Sequence, residues 1–333
     1  MRRFFLIFIV FILCTAGVLG ASFWHQYRSF VDQPLVESGP VRLWLPPGGH
    51  LGTAVGDLER LGLTRRDWRW RLLARQRSER VAAGEYAIEP GTTPEDLLDR
   101  LAAGDVVRHR FTVIEGWTLD ELRAALERDS RLSMAGRDLD EAALMTYLGC
   151  DGCAAEGRFL PETYFFVRGD SDLDLLGRAH AALEGALAAA WRDRDETVPL
   201  DGPDELLVLA SLVEKEAQVA DERAQVAGVF ARRLQRGMRL QTDPTVVYGL
   251  GDDFDGRIRR VHLRTDHPWN TYTRHGLPPT PIALPGRAAL AAAAQPADGE
   301  ALYFVARGDG THQFSSTLAE HNRAVDRYIR GRE

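Results

Sequence analysis

Leu209-Ala210-Ser211-Leu212-Val213-Glu214-Lys215-Glu216-Ala217-Gln218-Val219-Ala220 is the stretch on which the reading of this chain turns, with Leu240-Gln241-Thr242-Asp243-Pro244-Thr245-Val246-Val247-Tyr248-Gly249 following it as a loop. At roughly 100° per residue, Leu206, Leu209, Ala210, Leu212, Val213 and Ala217 form one apolar arc of a helix. Glu216 falls inside that arc, between Leu212 and Leu209. Burial penalises a charged carboxyl, so Glu216 is expected to hold its proton toward neutrality, as a general acid must. The arc thus predicts a helical domain carrying a proton donor in a cleft. Glu214 sits at the arc's edge, where a solvated acidic face and pairing with Lys215 or an Arg are both open.

Working outward, helices are expected over 173–191, 203–219 and 221–235, the last stopped by Gly237. Residues 266–286 read as a long proline-fixed loop, which in a compact domain usually has a functional role. A hairpin over 301–306 and 311–314, turning at Gly308-Asp309-Gly310, precedes a final helix over 317–330.

The segment 241–248 offers an amide, two hydroxyls, a carboxylate and a phenol. Gln241 and Tyr248 can hold sugar hydroxyls or an acetamido group, Thr245 adds a hydroxyl, and Asp243 can stabilise positive charge at an anomeric carbon. Asp243-Pro244 also reads as a plain turn. Asn270, Tyr272 and His275 are either further site residues or loop packing. Ser211 lacks a glycine-flanked nucleophile elbow, and no phosphate-binding or dinucleotide glycine pattern occurs.

The N-terminal part differs in kind. Residues 4–24 contain no charge, follow Arg2-Arg3 and end in Phe23-Trp24, long enough to cross a bilayer with an interfacial aromatic in place. The segment reads as an anchor, with a cleaved signal peptide as the competing reading. Three strand–glycine turn–helix units follow, at 41–61, 86–101 and 111–126, with Thr93 and Asp96 arranged as a capping pair. Trp68-Arg69-Trp70-Arg71 reads as a solvated helix with a buried Trp, or as a stacked surface for sugar or anionic lipid. Between 157 and 167, Phe159, Tyr164, Phe165 and Phe166 either pack a core or wall a cleft. Cys150 and Cys153 suggest one local disulfide, and no metal-ligand spacing accompanies them. A net charge of -7, from 41 basic and 48 acidic residues, argues against a nucleic-acid partner.

The chain resembles the YceG-like family of endolytic murein transglycosylases (MltG). The matching pieces include Ala83-Gly-Glu-Tyr86, Glu115-Gly-Trp-Thr118, residues 157–164, Ala210 to Glu216, Arg239 to Gly249, Asn270-Thr-Tyr272, Gly276-Leu-Pro-Pro279, Ile282-Ala-Leu-Pro-Gly286 and Tyr303-Phe-Val305 with His312 and Phe314. The resemblance implies an α+β chain: a cytoplasmic end at 1–3, a transmembrane helix at 4–24, a linker at 25–39, a small LysM-like α/β module at 40–109, and a larger, mostly helical catalytic domain at 110–333. It places the family's catalytic glutamate at Glu216, while Ala217 stands where related transglycosylases commonly carry a hydroxyl. It further implies cleavage of the MurNAc–GlcNAc bond of glycan strands to give 1,6-anhydroMurNAc ends, without metal or organic cofactor. The expected setting is the bacterial inner membrane, crossed once, with the catalytic domain outside and peptidoglycan synthases as partners. Two other readings stay open: a hydrolytic muramidase using Asp243 as second carboxylate, and a non-catalytic glycan-binding envelope protein.

Overall fold

The computed structural model describes residues 2–77, 80–217 and 219–331. The chain divides into two compact units, Met1–His109 with Phe166–Gly169, and Arg110–Phe165 with Asp170–Glu333.

The first unit opens with α1 (Arg2–Asp32). Its first part is stripped of packing, with Phe4, Phe11 and Val18 each more than 60% exposed, whereas Tyr27, Phe30 and Val31 are buried. The expected linker at 25–39 therefore begins as helix, because those three apolar side chains dock in the unit's core. Of the expected cytoplasmic end at 1–3, Met1 lies outside the described residues. β1 (Val41–Leu45), α2 (Leu51–Arg60), α3 (Trp68–Gln76), β2 (Gly84–Ile88) and α4 (Pro94–Ala103) follow. β1 and β2 pair antiparallel with Val41 opposite Ile88 and Leu45 opposite Gly84. Their inward residues Leu43, Leu45, Tyr86 and Ile88 meet Leu97, Leu98 and Leu101 of α4, all essentially buried. Thr93 and Asp96 form the anticipated capping box, and Gly104 closes α4 in the left-handed conformation at φ 67°. Two of the strand–helix units thus share one small sheet, with α3 inserted between them.

β3 (Arg108–Thr112) pairs with β4 (Thr163–Val167), the latter formed by the aromatic segment. Alternation explains that segment: Tyr164 and Phe166 are buried and Phe165 is 61% exposed, while Phe159 lies in the core. Phe159, Tyr164 and Phe166 pack while Phe165 faces out, and none of the four lines the cleft described below.

The second unit is helix-rich: α5 (Leu119–Glu127), α6 (Glu141–Tyr147), α7 (Asp172–Arg192), α8 (Pro203–Glu216), α9 (Arg223–Gln235), α10 (Asp243–Leu250), α11 (Arg260–Arg264), α12 (Arg287–Ala294) and α13 (Leu318–Tyr328). A hairpin of β5 (Tyr303–Ala306) and β6 (His312–Ser315) precedes α13. Every residue of α8 from Leu206 to Val213 is buried, the signature of a central helix rather than a one-sided one. Even Ser211 is satisfied inside: its hydroxyl donates to Val208 O at 2.7 Å and accepts from Ile282 N at 3.1 Å. Cys150 and Cys153 are joined in a disulfide, as expected.

Two expectations are corrected. The helix expected to run to Val219 stops at Glu216, and Ala217 turns extended at φ -92°, ψ 95°; Gln218 lies outside the described residues. The segment expected to be loop from 240 to 249 is helical from Asp243, because proline is well tolerated in a helix's first turn.

Candidate active site

Glu216 is the last residue of the buried α8, so its carboxyl emerges where the helix ends. It lines a cleft of about 420 Å³, together with Arg233, Gln241, Asp243, Tyr272, Tyr303, His312 and His321. That size suits a small-molecule or saccharide site. A cleft of about 500 Å³ in the first unit is larger, but chemistry rather than volume selects the site, and the inward-facing acid is here.

Burial is the main force on Glu216 and pushes its pKa above the usual carboxylate range; the Asp243 charge adds to this, while Thr242, His312 and Arg233 oppose it. The partial negative charge at the C-terminal end of α8 disfavours ionisation too. Thr242 donates its hydroxyl to Glu216 Oε1. Thr242 occupies the N-cap position of α10, yet its side chain does not cap that helix; the hydroxyl serves the acid instead. Immediately before it, Gln241 adopts φ 51°, a left-handed conformation that favours glycine and stores backbone strain beside the acid.

A buried threonine cluster holds this arrangement. Thr242 N donates to Thr271 Oγ1 at 3.1 Å, Thr245 Oγ1 donates to Thr242 O at 2.7 Å, and the Thr245 and Thr271 hydroxyls are 2.9 Å apart. Thr245 accordingly acts behind the site and does not face a ligand. Asn270 is also structural: its amide donates to His262 O and Thr265 O, and its Oδ1 accepts from Tyr272 N at 2.9 Å. Through that last bond it sets Tyr272, whose phenol donates to Asp243 Oδ1 at 2.6 Å. Burial, then the Asp243 carboxylate, hold the Tyr272 phenol well above its usual range, so it remains a donor.

The other wall is built by residues distant in sequence. Arg233 is buried; its Nε donates to Leu302 O at 2.7 Å and its Nη1 to Leu240 O at 2.6 Å, with the guanidinium 5.2 Å from the Tyr303 ring. It joins the hairpin to the segment leading into α10 and leaves one positive charge beside the acid. Glu222 accepts from His312 N at 2.9 Å and meets its ring Nδ1 at 2.7 Å, fixing that imidazole in the cleft. His321 stacks on Tyr303 at 5.2 Å with its Nδ1 buried and unpartnered among the described residues. Desolvation, then Arg233, hold its pKa down.

Of the residues singled out from sequence, Glu216, Gln241, Asp243 and Tyr272 therefore meet in one cleft. Glu214 does not. Its carboxyl accepts from Gly286 N at 2.9 Å and from Arg223 Nη2 at 3.3 Å, tying α8 to the 284–286 loop. Tyr248 is also elsewhere, with its hydroxyl shared between Glu156 and Thr280 and its ring 5.6 Å from that of Trp269. His275 is exposed and contacts Gly237 O at 3.0 Å. Sequence reading missed Arg233, His312 and His321 as members of the site, and the particular part played by Thr242. The His312 and Tyr303 positions did stand among the family-like motifs.

One consequence is measurable. Thr242→Val keeps the side-chain volume but removes the hydroxyl that favours the ionised acid, so the high-pH limb of the pH–rate profile should move further up and kcat should fall about tenfold. An unchanged profile would remove Thr242 from the site.

Comparison with known proteins places these motifs. The YceG-like family matches residues 43–327. The endolytic murein transglycosylase of Bacillus subtilis (strain 168) is 31% identical over 264 residues, covering 74% of this chain and 73% of that protein. That of Streptococcus pneumoniae (strain D39) is 26% identical across 98% of this chain, which spans 65% of that relative's length. The crystal structure of a YceG-like protein from Listeria monocytogenes superposes with a TM-score of 0.57 at 26% identity, covering 85% of this chain and 98% of that one.

Proposed function

The chain belongs to the YceG-like family, and from that membership and the cleft's chemistry we propose that it is an endolytic murein transglycosylase, a lyase acting on peptidoglycan glycan strands, with Glu216 as its acid. The observation that carries the proposal is a carboxyl at the end of a buried helix, its pKa pushed up by burial, lining a sugar-sized cleft.

One carboxyl can serve both halves of such a reaction. Protonated Glu216 donates its proton to the glycosidic oxygen as the bond from C1 of N-acetylmuramic acid breaks. The resulting carboxylate takes the proton of the same sugar's 6-hydroxyl as its oxygen closes onto C1. The ring so formed is a 1,6-anhydro end, and Glu216 returns to its starting state. Glycosidases by contrast need a second carboxylate, as nucleophile or to activate water. Holding the 6-hydroxyl in line can supply much of the rate, because effective molarities of oriented intramolecular reactions are very large. Thr242 steadies the acid, Arg233 opposes the charge left after proton donation, and the Tyr272–Asp243 pair presents polar groups to the sugar.

The anchor and module belong to the same proposal. α1 is long and apolar enough to cross a membrane by length and composition, so the enzyme is read as a single-pass protein of the bacterial inner membrane with its catalytic unit outside. The β-α-α-β order from β1 to β2 supports a LysM-like module at 40–109. Tethering would favour nascent strands near the membrane, terminating them beside the synthases that make them.

Mass spectrometry of digested glycan strands tests the reaction. The proposal expects anhydro ends, one water lighter than the hydrolytic product. Reducing ends would assign a muramidase, and strand binding without product a non-catalytic role.

A further inference from the structure

The first unit carries a basic face at the level where α1 would leave the bilayer. Between residues 57 and 77 there are seven arginines and three acidic residues. The acidic ones are committed: Asp57 pairs with Arg60, Glu59 accepts from Arg66 N at 3.0 Å, and Asp67 pairs with Arg69. The exposed Arg65, Arg66, Arg71 and Arg75 form no side-chain ion pair among the described residues.

Their height is set by aromatic contacts with α1. Trp68 stacks on Phe23 with centroids 4.1 Å apart, Trp70 meets Phe30 edge-on at 5.2 Å, and Tyr27 OH donates to Gln76 Oε1 at 2.5 Å. α3 therefore runs beside residues 23–30 of α1, which rise only about 10 Å. If the hydrocarbon ends near Phe23 and Trp24, where interfacial aromatics belong, all of α3 lies within or just above a headgroup layer about 5–7 Å deep. The arginines then stand within about one Debye length of the lipid phosphates. Burial of Tyr27, Phe30 and Val31 in the unit's core ties the module to the foot of α1, so the tilt of α1 sets how closely the arginines approach the headgroups.

We infer that α3 and the arginines at 65, 66, 71 and 75 form a membrane-surface contact that takes anionic phospholipid headgroups at the foot of α1. This rests on the reading of α1 as a membrane span. The contact would hold the module against the bilayer and so fix the orientation in which the chain meets its surroundings.

The test uses the full chain in nanodiscs of phosphatidylcholine, alone or with phosphatidylglycerol. A nitroxide is placed at Arg71→Cys in a Cys14→Ser background, and a second preparation carries it at Val18→Cys. Adding phosphatidylglycerol should lower the accessibility of the residue-71 label to an aqueous nickel relaxant several-fold. High salt, or the substitutions Arg65→Gln, Arg66→Gln and Arg75→Gln together, should restore it without altering the melting temperature. An accessibility at residue 71 that ignores lipid charge, while the residue-18 label stays in hydrocarbon, would overturn the membrane-surface contact alone. A residue-18 label reached by the aqueous relaxant would overturn the span and the contact with it.

Discussion

Glu216→Gln is expected to cut the rate of glycan-strand cleavage by about 10²–10⁴ or more, the range attributed to a positioned general acid. Glutamine fills the same space and still accepts the Thr242 hydroxyl, so the fold should survive with little change in melting temperature. What it cannot do is release a proton near neutrality. Because the protonated form is the active one, the wild-type rate should fall as pH rises through the elevated Glu216 pKa. Glu214→Gln provides the contrast: that carboxyl holds Gly286 N and Arg223 rather than facing the cleft, so partial activity should remain. Full activity of Glu216→Gln on purified strands would remove the acid from the mechanism.

The second large effect concerns stability. Glu156 is 5% exposed and accepts from Leu119 N at 3.1 Å and Gly157 N at 3.0 Å. Desolvation outweighs those bonds and that of Tyr248, pushing its pKa up to about 7. Since the folded pKa exceeds the unfolded one, the native state binds more protons between the two values, and this group's stabilising contribution is lost as pH rises from about 4.5 to about 7. A shift of that size amounts to about 3 kcal/mol. Glu156→Gln, which keeps an acceptor but cannot ionise, should therefore gain stability relative to wild type as pH rises across that window, read from paired denaturant titrations. A constant difference between the two proteins at all pH values would show that Glu156 ionises normally.

The site was legible where local pattern governs it. Glu216 stood out because a carboxyl within an apolar arc has few innocent explanations, and Thr93 with Asp96 announced its helix through capping chemistry that acts over three residues. The stop of α8 at Glu216 was not legible, since Ala217 is no helix breaker and tertiary packing turns the chain there. The Asp243-Pro244 pair misled because the same dipeptide suits a turn and a helix's first turn. Thr245, Tyr248 and Asn270 looked like ligand-binding groups by residue type. Each instead satisfies buried polar atoms, a need that appears only once Thr271, Glu156 and the 262–265 backbone are beside them. Arg233 and His312 reach the acid from α9 and β6, and no local spacing signals a meeting across that much sequence. In the first unit, the length of α1 signalled a span, but its burial beyond Trp24 depended on the aromatic partners of α3.

The claim beneath the mechanism is that Glu216 is uncharged where an ordinary carboxyl has ionised. A carbon-13 NMR titration of glutamate δ-carboxyls, comparing wild type with Glu216→Gln, isolates that one resonance from Glu156 and the others. A Glu216 signal that remains in the protonated position well above the ordinary glutamate range is the predicted result; a signal that titrates with its midpoint at about 4.3, the ordinary glutamate value, would contradict the account.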